Sequence, residues 1–343
     1  MLAEFHDILP GSSIQPVEET SLRLLDHALE NVSRLKGRAF FALASGQRVA
    51  AENEIPILIY NPHPYQVNSV FECEFQLSDQ NWKKEFTLPV IYQDGFKIAS
   101  QPEKELSNLN LDWRKRTVFK ATLEPSQMNR FDVRLEVLPC KPKPMLKPEN
   151  GFIRFRSQDL EVDINCQTGL IDRYNAKGVD FLMKNSFNPL VIEDNEDSWG
   201  MLVQSFRKVA SSFVLMSAEE GTRFSGVYEQ LPSIRIIEDG EVRTVVEALF
   251  QFGDSFLIQT YKLPKNGTEM EVQIRVHWNE KSKMLKLSIP TILKSGKYMG
   301  QVAYGRDVLP GNGKEAVAQK WTAVCDDTLN LAFSCINDGL YGS

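Results

Sequence analysis

Val67-Asn-Ser-Val-Phe-Glu-Cys-Glu-Phe-Gln-Leu77 is the stretch on which the fold turns. Val67, Ser69, Phe71, Cys73, Phe75 and Leu77 share one side of an extended chain. Asn68, Glu72, Glu74 and Gln76 take the other, with Val70 the exception. A period of two with one apolar face marks a strand half-buried against a core. Just upstream, residues 55–60 are a short apolar strand closed by Asn61-Pro62-His63-Pro64, a turn on composition. Downstream, residues 86–92, 96–99, 117–123 and 130–137 read as further strands. Residues 51–138 are therefore expected to form a small antiparallel β-sandwich. His63, between two prolines, reads as structural.

Further upstream the period is helical. Ile14, Val17, Ser21, Leu24, Leu25, Ala28, Leu29, Val32 and Leu35 recur at three- and four-residue steps, opposite Glu18, Glu19, Arg23, Asp26, Glu30 and Arg34. Ser12 and Ser13 are expected to cap this helix, with Gln15 completing a capping box and Pro16 tolerated in the first turn. The pattern persists to about Ala44, and Gly46 suits a C-terminal cap. Residues 1–50 thus form a helical segment. Its apolar stripe calls for a partner surface, part of which this chain is expected to lack.

Downstream of the sandwich, residues 139–149 form a connector rich in proline and lysine. Residues 150–343 return to strand patterns at 152–156, 160–164, 170–174, 242–252, 256–261, 269–278 and 284–289. Hairpin turns are expected at Asp239-Gly240, Gly253-Asp254 and Asn266-Gly267. So many long strands imply a large two-sheet sandwich. The fold class is mainly β, with one long N-terminal helix.

Net charge of −6 argues against a polyanionic partner, so no nucleic acid is expected. No apolar run reaches a membrane span. Five scattered cysteines without C-x-x-C spacing fit reduced thiols, and the N-terminus lacks the pattern of a secretory signal. A cytoplasmic protein is expected.

Candidate chemistry is sparse. His6 and Asp7 stand side by side near the N-terminus, a pair open to three readings: metal ligand, acid/base pair or frayed polar residues. The loop Glu193-Asp-Asn-Glu-Asp-Ser-Trp-Gly200 offers Asp197 and Trp199, a carboxylate for sugar hydroxyls and a flat indole face. The alternative is a solvated acidic loop. Arg306 is either a hydrogen-bonding fork for a sugar or a partner of Asp307. His277 lies in a strand and reads as a partly buried structural histidine. Gly-x-Ser-x-Gly, Walker and dinucleotide motifs and His-Glu-x-x-His are absent.

Phe5-His-Asp-Ile-Leu-Pro-Gly-Ser-Ser13 resembles a signature of the α-mannosidases of glycoside hydrolase family 38. Ile57-Leu-Ile-Tyr-Asn-Pro62, Glu161-Val-Asp-Ile-Asn-Cys-Gln-Thr-Gly169, Asp197-Ser-Trp-Gly200, Ala318-Gln-Lys-Trp321 and Asn337-Asp-Gly-Leu-Tyr-Gly342 also resemble segments of that family. The resemblance implies the portion that follows the catalytic barrel: the end of a helical region, a small sandwich, then a large galactose-mutarotase-like supersandwich, here truncated at its C-terminus. It implies that His6 is one of four zinc ligands and that Asp7 touches sugar hydroxyls. The other three ligands, the aspartate nucleophile and the aspartate acid/base would belong to an upstream barrel fragment, which becomes the expected partner. Zinc is then a cofactor of the intact parent and is not held by this chain alone. Mannose-containing glycans are the implied substrate, cleaved with retention of configuration, while the isolated chain is inactive. A non-catalytic carbohydrate-binding or scaffold module is the alternative.

Overall fold

A computed structural model describes residues 2–9, 11–106, 112–194, 205–293, 296–313, 315–338 and 340. A short 3-10 turn, Leu2–Glu4, precedes helix α1, Gln15–Ala44. The helix ends where its period fades. Its expected caps differ: Ile14 holds the N-cap with no side-chain hydrogen bond, and Gln15 donates along the helix to Glu19 at 3.0 Å. Pro16 already removes one of the orphan N–H groups that a serine cap would satisfy. At the other end Ser45, not Gly46, is the cap; its N–H donates to Phe41 O and its hydroxyl to Ala42 O.

The chain divides into two compact units, Met1–Pro142 with Gly240–Val242, and the remainder. In the first unit the strands are β1 (Ile55–Asn61), β2 (Val67–Asn81), β3 (Phe86–Gln93), β4 (Phe96–Lys97), β5 (Ser100–Glu103), β6 (Asp112–Leu123) and β7 (Gln127–Leu138). They form two antiparallel sheets, β1-β7-β3-β4 and β2-β6-β5. The inward faces meet at Ile57, Ile91, Phe119, Ala121, Leu123, Phe131 and Val133, with Val67, Phe71, Cys73 and Phe75 packed against them. That is the apolar face of the alternating stretch at 67–77. The single strand expected at 96–99 is cut short at Lys97, and the chain then crosses to the other sheet as β5. Asn61 ends β1 inside the fold: its amide donates to Tyr65 O and Glu124 O, and its Oδ1 accepts the His63 N–H. His63 stacks on Tyr65 at the surface.

In the second unit β8 (Phe152–Arg156), β9 (Leu160–Asn165), β10 (Ile171–Ala176) and β11 (Val179–Asp180) form one meander. Next come β12 (Asn188–Glu193), β13 (Val209–Ser212), β14 (Val214–Leu215), helix α2 (Ala218–Ser225) and β15 (Ile234–Asp239). After them lie β16 (Arg243–Phe252), β17 (Ser255–Pro264), β18 (Glu271–His277) and β19 (Lys283–Ser288). The last group is β20 (Lys297–Val302), β21 (Gly305–Val308), β22 (Trp321–Asp326) and β23 (Leu331–Ile336).

The expected two sheets are, among the described residues, four: β11-β10-β9-β8, β13-β12-β19, β14-β16-β17-β18 with β15 on β16, and β21-β20-β22-β23. The division has a visible cause at Phe213. This buried ring separates β13, paired with β12, from β14, paired with β16, so one run of chain serves two sheets. All three expected turns connect antiparallel strands, but only Gly253-Asp254 is a two-residue hairpin; β15–β16 closes at Asp239 opposite Thr244 and β17–β18 at Lys262 opposite Glu271. A large apolar cluster that includes Val162, Ile171, Val191, Phe213, Phe250 and Leu263 underlies the unit, with a small one at Leu309, Ala316 and Ala318. His277 is exposed on β18 rather than partly buried, its ring stacked on Phe256 across the strand pair. No helix is long and apolar enough to cross a membrane among the described residues.

Candidate functional site

His6 and Asp7 lie in the turn between the 3-10 helix and α1. The imidazole lies against the Phe5 ring, tilted by 36° with centroids 4.2 Å apart, and His6 Nε2 stands 3.6 Å from an Asp7 carboxylate oxygen. The His6 side chain is 76% exposed and that of Asp7 36%. An exposed imidazole and a half-buried carboxylate at that spacing make a weak polar pair. A zinc ion takes at least three protein ligands, and no three His, Cys, Asp or Glu residues gather to hold a metal among the described residues. The described residues therefore do not make up a zinc site.

Asp197 and Trp199 lie outside the described residues. Arg306 sits exposed in β21 opposite Gln301, in the second unit, whereas His6 and Asp7 belong to the first. The pairing of Arg306 with Asp307 does not form; Asp307 instead accepts the N–H of Val308 at 2.7 Å. An open groove in the first unit is lined by Glu74, Phe75, Gln76, Leu106 and Arg114, with Arg114 and Glu74 3.6 Å apart. It contains none of the nominated residues.

The polar chemistry buried in each unit was not nominated. Lys115, 1% exposed, points inward from β6 with its ammonium 4.2 Å from the Phe86 ring centroid. Burial, partly countered by Glu105, brings its pKa down to about 8. The signal was present in the register: Lys115 shares the inward phase of Thr117, Phe119 and Ala121. In the second unit the Tyr261 hydroxyl, wholly buried, donates to Gly169 O at 2.8 Å and accepts from Gln259 Nε2 at 2.6 Å. Burial raises that phenol far above its usual range. Gln259 also donates to Phe187 O, so three segments are tied at one point.

Residues 159–343, more than half the chain, match the family described as glycosyl hydrolases family 38, C-terminal domain. The chain belongs to glycosyl hydrolase family 38. The match opens in the turn before β9 and takes in every later strand, while α1, the small sandwich and β8 precede it. A crystal structure of a protein in glycosyl hydrolase family 38 from Enterococcus faecalis is similar in fold, with a TM-score of 0.73 and 12% identity. The likeness covers 98% of this chain and 45% of that one, so this family 38 chain spans less than half the length of that protein. No curated protein sequence matches it.

Proposed function

We propose that this chain is the post-catalytic part of a retaining α-mannosidase acting on α-linked mannose in glycans, and that alone it is not catalytic. The match of residues 159–343 to the family 38 C-terminal domain carries the reading. The His6–Asp7 segment supports it from outside that match: in this reading His6 contributes one ligand to the zinc of the intact enzyme and Asp7 contacts sugar hydroxyls. Asp197, Trp199 and Arg306 are assigned to glycan contact. The nucleophile and acid/base, which a retaining glycosidase holds about 5–5.5 Å apart, are assigned to a catalytic barrel outside this chain, together with the other zinc ligands. Because the described residues do not complete a zinc site, no catalytic step is assigned to them. The five cysteines, all unpaired, suit a reducing cytoplasm.

Incubating the purified chain with an aryl α-mannoside and added zinc tests the assignment. No hydrolysis is expected, and zinc-dependent turnover would refute the non-catalytic part. Calorimetric titration with mannose and short α-mannosides tests sugar contact. Binding weakened by Trp199→Ala supports it, and heat unchanged by that substitution removes Trp199 from the site.

A further inference from the structure

Asparagine is followed by glycine at Asn150-Gly151, Asn266-Gly267 and Asn312-Gly313. In such a pair no Cβ on the second residue hinders its backbone nitrogen from reaching the asparagine side chain. All three asparagines are exposed, so exposure does not rank them; the backbone around each does. Asn150 and Gly151 both hold left-handed φ, +49° and +78°, in a two-residue turn. Glu149 and Phe152 close it, each donating its N–H to the other's carbonyl at 2.8 and 3.0 Å. Swinging Gly151 N toward the Asn150 side chain would break that turn. At the third pair the Arg207 guanidinium donates to the carbonyls of both Asn312 and Gly313, and a Cβ at Gly313 would meet it at 2.6 Å. The β17–β18 turn lacks such restraint. Among the described residues no backbone hydrogen bond spans residues 265–268, and the space beside Gly267, φ +96°, is open. Only the flanks are held: the Lys265 ammonium by Asp239 at 2.7 Å, and Thr268 O by the Tyr174 hydroxyl.

We propose that Asn266 is a site of spontaneous deamidation, and that the fold selects it over Asn150 and Asn312. The Gly267 backbone nitrogen, its proton passed to solvent, attacks Asn266 Cγ. A five-membered succinimide closes through the new N–Cγ bond as the Cγ–Nδ2 bond breaks, and the side-chain nitrogen leaves as ammonia. Water then opens the imide. Attack at Cγ returns the ordinary peptide with aspartate at the position, while attack at the backbone carbonyl carbon leaves the chain running through Cγ as isoaspartate. Water is the one reagent consumed, nothing is oxidised or reduced, and either product adds one negative charge to a chain of net −6.

Ageing the full 343-residue chain in mildly alkaline buffer, followed by tryptic peptide mass analysis, tests this, because the three asparagines fall in separate peptides. Aspartyl and isoaspartyl forms of the peptide 266–275 are expected to accumulate several-fold faster than products at Asn150 or Asn312. In guanidinium chloride, where the restraints are gone, the three rates converge. Asn266→Gln, whose longer side chain would have to close a six-membered ring, leaves its peptide unconverted. An Asn266 that converts no faster than Asn150 or Asn312 in the folded chain overturns the proposal. So does conversion of the peptide that persists in Asn266→Gln. A lead for Asn266 that survives unchanged in guanidinium chloride overturns selection by the fold, since it would come from neighbouring sequence alone.

Discussion

Lys115 occupies a position that the alternation of β6 reserves for apolar side chains, and its surroundings tax the charged form. Its ordinary pKa of 10.5 falls to about 8 in the folded chain. Below pH 8 both folded and unfolded chains hold the proton, and burying the ammonium costs stability. Between about pH 8 and 10.5 the unfolded chain binds more protons than the folded one, so stability rises with pH across that window. The shift corresponds to roughly 3 kcal/mol at 1.4 kcal/mol per pKa unit. Urea unfolding of the wild type and Lys115→Met should therefore show the wild type gaining on the variant as pH rises from 7 to 10; a constant difference would mean that the ammonium is not what the core penalises. The residue scale also sets the limit on the candidate site. His6 and Asp7 are conspicuous as neighbours in the sequence, but ligation needs further donors in space, and adjacency along the chain says nothing about those.

At the scale of the element, periodicity was legible and end chemistry less so. Thirty residues of helical period placed α1 and its C-terminal limit, and alternation placed β2, β3 and β7, because both patterns repeat over enough residues to outweigh an exception such as Val70. Helix α2 has only eight residues, too few for a period to stand out. Its mark lay in Ser217-Ala-Glu-Glu220, a capping box in which Ser217 accepts the Glu220 N–H and Glu220 accepts the Ser217 N–H. Gln251 also donates to Glu220, and the three contacts bring its carboxyl down to about 2. That stabilisation is complete above pH 4.5 and fades as pH falls toward 2. Ser217→Ala should cost about 1 kcal/mol in denaturant unfolding. The turn before β10 gives a sharper test. Gly169 has φ +73°, and a Cβ there would lie 2.8 Å from Phe250 Cζ and 2.9 Å from Leu215 Cδ1. Gly169→Ala combines a left-handed backbone with an overfilled core, so a loss of about 2–4 kcal/mol is expected. A loss below 1 kcal/mol would show that the turn relaxes at little cost.

For the molecule as a whole, the decisive join is the connector, and its anchoring depends on a residue nearly a hundred positions away. Composition marks residues 139–149 as extended, but it cannot reveal what an extended chain is tied to, since the partner comes from a hairpin folded much later in the sequence. That partner is Asp239, at the end of β15. One carboxylate oxygen accepts the N–H groups of Met145 and Leu146 at 3.0 and 2.9 Å, and the other takes the Thr244 hydroxyl at 2.6 Å and the Lys265 ammonium at 2.7 Å. Burial by itself would raise this carboxyl's pKa, but Lys265, Thr244 and the Leu146 N–H outweigh it and hold the pKa below the usual range. The tie is therefore complete above the ordinary aspartate range and weakens only as pH falls through the lowered value. Asp239→Ala removes both acceptors, leaves two connector amides to water and strands the Lys265 charge. At neutral pH the variant should lose hydrogen-exchange protection at Met145 and Leu146, and chymotrypsin should cut after Leu146 several-fold faster than in the wild type, because backbone freed of its hydrogen bonds fits a protease cleft. Exchange and cleavage unchanged in Asp239→Ala would mean that the proline spacing alone stiffens the join.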